Sequence, residues 1–185
     1  MLLCGCKKNL TKIFPDADAE GLAIFSDKGN NILSCYVNDK PWKTVDRIAY
    51  SGFPNPPSTH YELYIDKFTG TEKDTLIFTW EGHFTDDTFS HRLSLSLFVK
   101  PNFARIDISS LSGQRITIDS LTTGFYSTDI NNNNSALKGN GSIYFHQSSF
   151  DSTGRIVGLL EANINGLKIS KGRFDEDITS HNIFF

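Results

Sequence analysis

Alternation of apolar and polar residues runs through much of the chain and predicts short, half-buried strands. Leu33, Cys35 and Val37 share one face of the stretch 32–37, and the turn dipeptide Asn38-Asp39 leads into Lys40-Pro41-Trp42, a first hairpin. Tyr61, Leu63 and Ile65 alternate with Glu62, Tyr64 and Asp66. After the polar segment 69–74, Leu76, Phe78 and Trp80 resume the pattern against Thr75, Thr79 and Glu81, which predicts a second hairpin. Leu93, Leu95, Leu97 and Val99 interleave with Ser94, Ser96 and Phe98, so a strand with a solvated outer face is expected up to Pro101. Ala104, Ile106 and Ile108, then Ile116 and Ile118, predict two further strands joined across 110–114. Segments 141–146 and 156–164 complete a set of about nine strands. Within 15–28, Asp16 or Asp18 can cap a first helical turn and Gly29 can end it, which predicts one short helix.

The carboxyl-terminal hairpin permits a register argument. If Asn165-Gly166 is a two-residue turn, Ile164 opposes Leu167, Asn163 opposes Lys168, Ala162 opposes Ile169 and Glu161 opposes Ser170. Like then meets like until Leu160 would face Lys171, where a bulge or the sheet boundary is expected.

Composition agrees with strands. The 185 residues include 17 Ile, 15 Phe, 6 Tyr and 15 Thr against only 7 Ala and 6 Glu, a balance that suits pleated surfaces over helices. Asp (15), Asn (14) and Gly (14) supply the turns. The expected class is all-β, an antiparallel β-sandwich or closed β-barrel. With 38% hydrophobic and 21% charged residues, the chain has the means to fold. A net charge of -3 leaves no cationic excess for phosphate backbones, so nucleic acid is not an expected partner.

The amino terminus changes the picture. Met1-Leu2-Leu3-Cys4-Gly5-Cys6-Lys7-Lys8 resembles the lipobox of bacterial lipoproteins. The resemblance implies that Cys6 becomes the first mature residue and carries lipid, so that acyl chains hold the protein to a membrane. A complete export signal has an apolar region of about 7 to 15 residues, and an upstream start is therefore expected. With Cys4 removed and Cys6 lipidated, Cys35 stands alone and no intrachain disulfide is expected. Residues 1–6 read as the remnant of a signal, 7–28 as a tether with a short helix, and 29–185 as one β domain.

A second resemblance rests on Gly29-Asn30-Asn31-Ile32-Leu33-Ser34-Cys35-Tyr36-Val37-Asn38-Asp39-Lys40-Pro41-Trp42 and on Ile169-Ser170-Lys171-Gly172-Arg173-Phe174-Asp175. Together they are similar to β-rich lipoproteins of the Bacteroidota type, a family of uncharacterised function. In that family the first segment reads Val-Asn-Gly-Lys-x-Trp, and Asp39 stands here in place of the glycine. The resemblance implies a scaffold in the cell envelope, lipid-anchored at the outer membrane. It places no nucleophile, base or metal.

The catalytic inventory is thin. The chain has no Gly-x-Ser-x-Gly, no phosphate-binding Gly-x-x-x-x-Gly-Lys-Ser/Thr, no His-Glu-x-x-His and no Cys-x-x-Cys. His83, Asp86, Asp87 and His91 gather in one segment and carry metal-binding chemistry, although such residues in turns ordinarily serve as solvated or capping groups. Asp16, Asp18, Glu20 and Asp27 mimic part of a calcium loop but lack its closing glutamate. Neither pattern amounts to a metal site, and no cofactor is expected. Glu62, Asp66 and Glu81 could pair as acid and base across a sugar. Trp42, Tyr64 and Trp80 could present a platform for a sugar ring or an apolar ligand, with core packing the simpler role for Trp80. Cys35, in phase with Leu33 and Val37, reads as a small buried hydrophobe.

Three polar loops, 51–59, 83–91 and 129–140, are expected to hold variable function. The sequence thus predicts a lipid-anchored binding or assembly module that meets a glycan, a peptide or an envelope protein. The alternatives are a glycan hydrolase with paired carboxylates and a lipocalin-like carrier with an apolar lumen.

Overall fold

A computed structural model describes residues 15–27, 31–44, 63–84, 91–118, 124–127, 137–150, 154–178 and 183–185. The fold is all-β. Its strands are β1 (Pro15–Asp16), β2 (Ala19–Ala23), β3 (Ile32–Val37), β4 (Lys40–Thr44), β5 (Leu63–Phe68), β6 (Asp74–Phe84), β7 (His91–Val99), β8 (Arg115–Ile118), β9 (Gly124–Ser127), β10 (Leu137–Ser149), β11 (Arg155–Ile164), β12 (Leu167–Asp177) and β13 (Ile183–Phe184). A 3₁₀-helix spans Arg105–Leu111.

Turn chemistry sets the hairpins. Asn38 and Asp39 adopt φ of 49° and 63°, and Val37 pairs with Lys40. Asn165 and Gly166 adopt 47° and 86°, and Ile164, Asn163 and Ala162 pair with Leu167, Lys168 and Ile169 in the register the sequence predicts. Left-handed backbone at both central positions is the geometry that matches strand twist in two-residue loops. The next pair is Leu160 with Gly172: the expected bulge is present but begins one pair earlier, so the expected pairing of Glu161 with Ser170 is absent, and Lys171 within the bulge has a φ of 49°.

Strand pairing closes on itself. From β3 the hydrogen-bonded neighbours run through β4, β6 and β7 to β8 and β9, then through β10, β11 and β12 back to β3. Of the two expected architectures, the ring is the barrel. β6 serves two neighbours along one edge, β5 beside residues 75–80 and β4 beside 82–84. The short β13 lies parallel to the outer edge of β5.

A barrel of this size has an interior that side chains fill. Phe78, Trp80, Phe145 and Phe174 are all at most 1% exposed and form a cycle of ring contacts 5.7 to 5.9 Å between centroids. Such pairs add about 0.5–1.5 kcal/mol each beyond area burial. The Trp80 indole N–H donates to the buried Glu176 carboxylate at 3.2 Å. At one end, Phe103, Ile108 and Leu111 join the same core, so the 3₁₀-helix packs against it.

Four sequence expectations are corrected. Residues 15–23 form the β1–β2 hairpin where a helix was expected. Gly21 sits at φ 79°, which a helix cannot use, and tertiary contacts hold the strand: the Ala23 N–H donates to Ser34 Oγ (3.1 Å), and Tyr36 OH donates to the Glu20 carbonyl (2.8 Å). Residues 105–111 form the 3₁₀-helix instead of a strand. Ile108 and Leu111, three apart, turn inward while Ile106 is left exposed, and Asp107 accepts the Ala104 N–H at 2.8 Å. Ser94 and Ser96 are buried, so that side of β7 is not the solvated face expected. Both are short side chains beside longer neighbours, Thr79 opposite Ser94 and Ile77 opposite Ser96. Finally, the expected loops are narrower, because His83 and Phe84 end β6, His91 begins β7 and residues 137–140 belong to β10. Loop 51–59 and the remainder of the other two lie outside the described residues, as do residues 7–14 of the tether.

Asp74 ties the turn after β5 to the segment after β7. Its carboxylate accepts N–H groups of Gly70 (3.2 Å) and Phe103 (2.9 Å) and stands 3.7 Å from the Lys67 ammonium. Burial alone would raise its pKa, yet the two backbone donors and Lys67 outweigh it and hold the carboxyl below its ordinary value. A folded pKa below the unfolded one gives stability that is complete above about pH 3.9 and is lost as pH falls through the folded value. Urea denaturation of Asp74→Asn should therefore show a lower midpoint than the parent near neutral pH and a weaker acid dependence; equal midpoints would refute the clasp. Phe174→Ala, which opens the aromatic cycle, should cost about 3–5 kcal/mol in the same assay.

Candidate functional site

The outer wall of the ring carries a groove built by four separate parts of the chain. Arg115 on β8 pairs with Tyr144 on β10, Tyr144 with Leu159 on β11, and Leu159 with Arg173 on β12. These four form one row across the strands, with guanidinium groups at both ends and an apolar middle. Neighbouring strands lie about 4.8 Å apart, so the row spans roughly 14 Å.

Segment 17–27 crosses outside this wall. Arg173 Nη1 donates to the Ala23 carbonyl (3.4 Å), Arg155 Nη1 donates to that of Asp27, and the Phe25 ring meets His146 on β10 edge-on at 6.0 Å. Phe25 thereby closes one side of a cavity of about 440 Å³, whose lining includes Arg115, Leu159, Glu161, Lys171 and Arg173. Phe25 is 40% and Leu159 42% exposed, an apolar pair left uncovered among cations.

The bulge in β12 supplies two of those cations. Ile169 and Phe174 both point into the core although their positions differ by five, an odd offset that a regular strand forbids. One extra residue corrects the phase. The pairing slips on both sides of β12, between Ala162 and Leu160 of β11 and between Tyr36 and Ser34 of β3. Lys171 is exposed and Arg173 half-buried, and both reach the cavity. Bulges re-aim side chains in this way beside functional sites.

Among the described residues of the lining, three cations face one carboxylate, Glu161, in a protein whose net charge is -3. Arg115 engages neutral groups, Ser142 Oγ at 3.0 Å and the Tyr144 ring at 5.5 Å. Lys171 likewise donates to the Asp18 carbonyl (3.3 Å) and lies 5.9 Å from the Tyr36 ring. A second cavity of about 450 Å³ beside the 3₁₀-helix shares Arg115 with the groove, and its other cation, Lys100, is paired with Asp107 at 2.5 Å. The Lys100 hydrogen bond, joined by the Ala104 N–H, keeps the Asp107 carboxyl below its ordinary pKa.

The aromatic platform expected from sequence does not form. Trp42 and Trp80 are both 0% exposed. Tyr64, half-buried on β5, stacks on Phe184 at 6.3 Å with 23° between planes, away from either indole. His83 and His91 do not converge. Gly82 pairs with His91, so His83 belongs to the opposite face of the sheet, while the His91 ring meets Phe84 at 5.0 Å. Asp86 and Asp87 lie outside the described residues, as do Cys6 and Glu62. Among the described residues no group of three or more His, Cys, Asp or Glu is placed to hold a metal ion.

Asp66 pairs with Ile77, four residues before Glu81 on β6, which sets the two backbones about 13 Å apart along the strand. Glycosidase carboxyl groups stand about 5 to 9.5 Å apart. Burial raises the Asp66 pKa, while Glu81 faces Arg92 at 3.7 Å. Cys35 is fully buried, and burial pushes its thiol pKa up, which suits a packing role.

Sequence reading missed Phe25, Arg115, Leu159, Glu161, Lys171 and Arg173 as a group. One signal was present: Leu159 shares the outward phase of β11 with Glu161 and Asn163, an apolar residue where its neighbours in phase are polar. No protein-family model matches the chain, and comparison with curated proteins and with solved structures returns no match.

Burial of both indoles has a spectroscopic consequence. Tryptophan emission is expected at short wavelength, with little quenching by iodide in the native protein and full quenching in urea. Strong native quenching would place an indole at the surface and contradict the packing described.

Proposed function

We propose that this chain is a lipid-anchored protein of the cell envelope, held at the outer membrane through Cys6, and that it acts as a binding or assembly module through the groove on its outer wall. The observation that carries the anchoring is the stretch Leu2-Leu3-Cys4-Gly5-Cys6-Lys7, which resembles a lipobox. Two or more acyl chains give stable attachment where one does not. Among the described residues no helix is long and apolar enough to cross a membrane, so lipid is the means of attachment this reading relies on.

The aromatic cycle supports binding outside the ring. Phe78, Trp80, Phe145 and Phe174 occupy the centre where a carrier would need an open lumen. The spacing of Asp66 and Glu81 does not favour glycoside hydrolysis. The exposed groove, with its uncovered apolar pair and its cations, is the surface that offers a partner both area and charge. Confinement to a membrane raises the effective concentration at which such a surface meets envelope partners.

Intact mass tests the anchor directly. Expressed in a bacterial host from its natural reading frame, the protein should begin at Cys6 and carry the added mass of two or three acyl chains, and Cys6→Ser should lose that mass and leave the membrane fraction. An unlipidated product that retains Met1 would overturn the reading.

A further inference from the structure

We infer that the groove between Phe25 and the β12 bulge binds an acidic carbohydrate, a sugar bearing a carboxylate or phosphate. The inference rests on the binding-module reading and names the ligand class of that site. Its cavity, about 440 Å³, is of small-molecule size.

Each part of the lining matches a different part of such a ligand. Arg115 and Arg173 close the two ends of the cross-strand row, and Lys171 comes from the bulge between them and β3. Guanidinium forks bind carboxylate and phosphate in the plane, and ammonium adds a point charge. Leu159 and the Phe25 ring supply the apolar surface on which the C–H face of a pyranose packs. Glu161, the one carboxylate among the described residues of the lining, accepts hydrogen bonds from hydroxyl groups.

This set discriminates among anions. Inorganic phosphate would leave Phe25 and Leu159 unused. An anionic lipid would bring acyl chains for which the lining offers only one short apolar strip. A sugar acid offers anion, hydroxyl donors and an apolar face together. The bulge strengthens the case, because it costs backbone regularity and holds a lysine at φ 49° while presenting two cations to one cavity.

The test uses the full chain as the unlipidated Cys6→Ser form on an array of uronate-bearing, phosphate-bearing and neutral oligosaccharides, with inorganic phosphate as competitor. Acidic sugars should be retained over their neutral counterparts by about tenfold or more, with binding that weakens as salt rises. The Arg115→Gln/Lys171→Asn form should lose about tenfold or more, and Lys168→Gln, an exposed charge beside the Asn165-Gly166 turn and outside the lining, should not. Asn accepts the left-handed backbone at position 171, and Arg115→Gln alone carries the same expectation should the double variant fold poorly. Equal retention of neutral sugars, no acidic sugar bound, binding unchanged in the variants, or displacement by inorganic phosphate at matched concentration would each overturn the assignment. Acid-sugar binding by the Cys6→Ser form together with an unlipidated product of the natural sequence in the intact-mass experiment would leave this inference standing and remove the anchor; a lipidated natural product with no acid-sugar binding would do the opposite.

Discussion

The pairing of β3 with β12 is the constraint on which the architecture depends. It joins residues 32–37 to residues 169–175 and turns an open sheet into a ring. Without it, β3 and β12 would each present an unpaired edge to solvent, and the inward faces of both would lose their opposite walls. Long-range pairing of this kind is costly in chain entropy. Burial of the aromatic cycle and the surrounding aliphatic residues offsets that cost, and the cycle forms only when the ring is closed: Phe174 comes from β12, Phe145 from β10, and Phe78 and Trp80 from β6.

Closure also determines where function can sit. A filled interior leaves the outer wall as the working surface, and the β12 bulge shapes that wall. The same extra residue that keeps Ile169 and Phe174 in the core turns Lys171 and Arg173 toward Phe25 and Leu159. Segment 17–27 then lies across the ring and converts a flat sheet face into a groove. Core packing, backbone irregularity and surface chemistry are in this way one arrangement.

The legible parts were those specified locally. Asn38-Asp39 and Asn165-Gly166 carry their own turn geometry, and the mismatch of Leu160 with Lys171, eleven positions apart across one turn, foretold a bulge in that hairpin. The β1–β2 hairpin was not legible, because Gly21 leaves no room for a side chain against Pro41 and Ala23 is held by Ser34, both partners from another hairpin. The 3₁₀-helix was hidden because Ile106 and Ile108 also satisfy a strand pattern, and only the distance to Leu111 separates the two periods. Sandwich and barrel share the same alternation, so the choice waited on the β3–β12 pairing. The groove draws on β8, β11, β12 and the segment after β2, and no local pattern brings such distant positions together.

Closure of the ring can be measured by backbone NMR. A closed ring gives cross-strand contacts between Leu33 and Phe174 and between Tyr36 and Ser170, with slowly exchanging amides along both strands. Rapid exchange and missing contacts along β3 and β12, with the hairpins intact, would show an open sheet and contradict it.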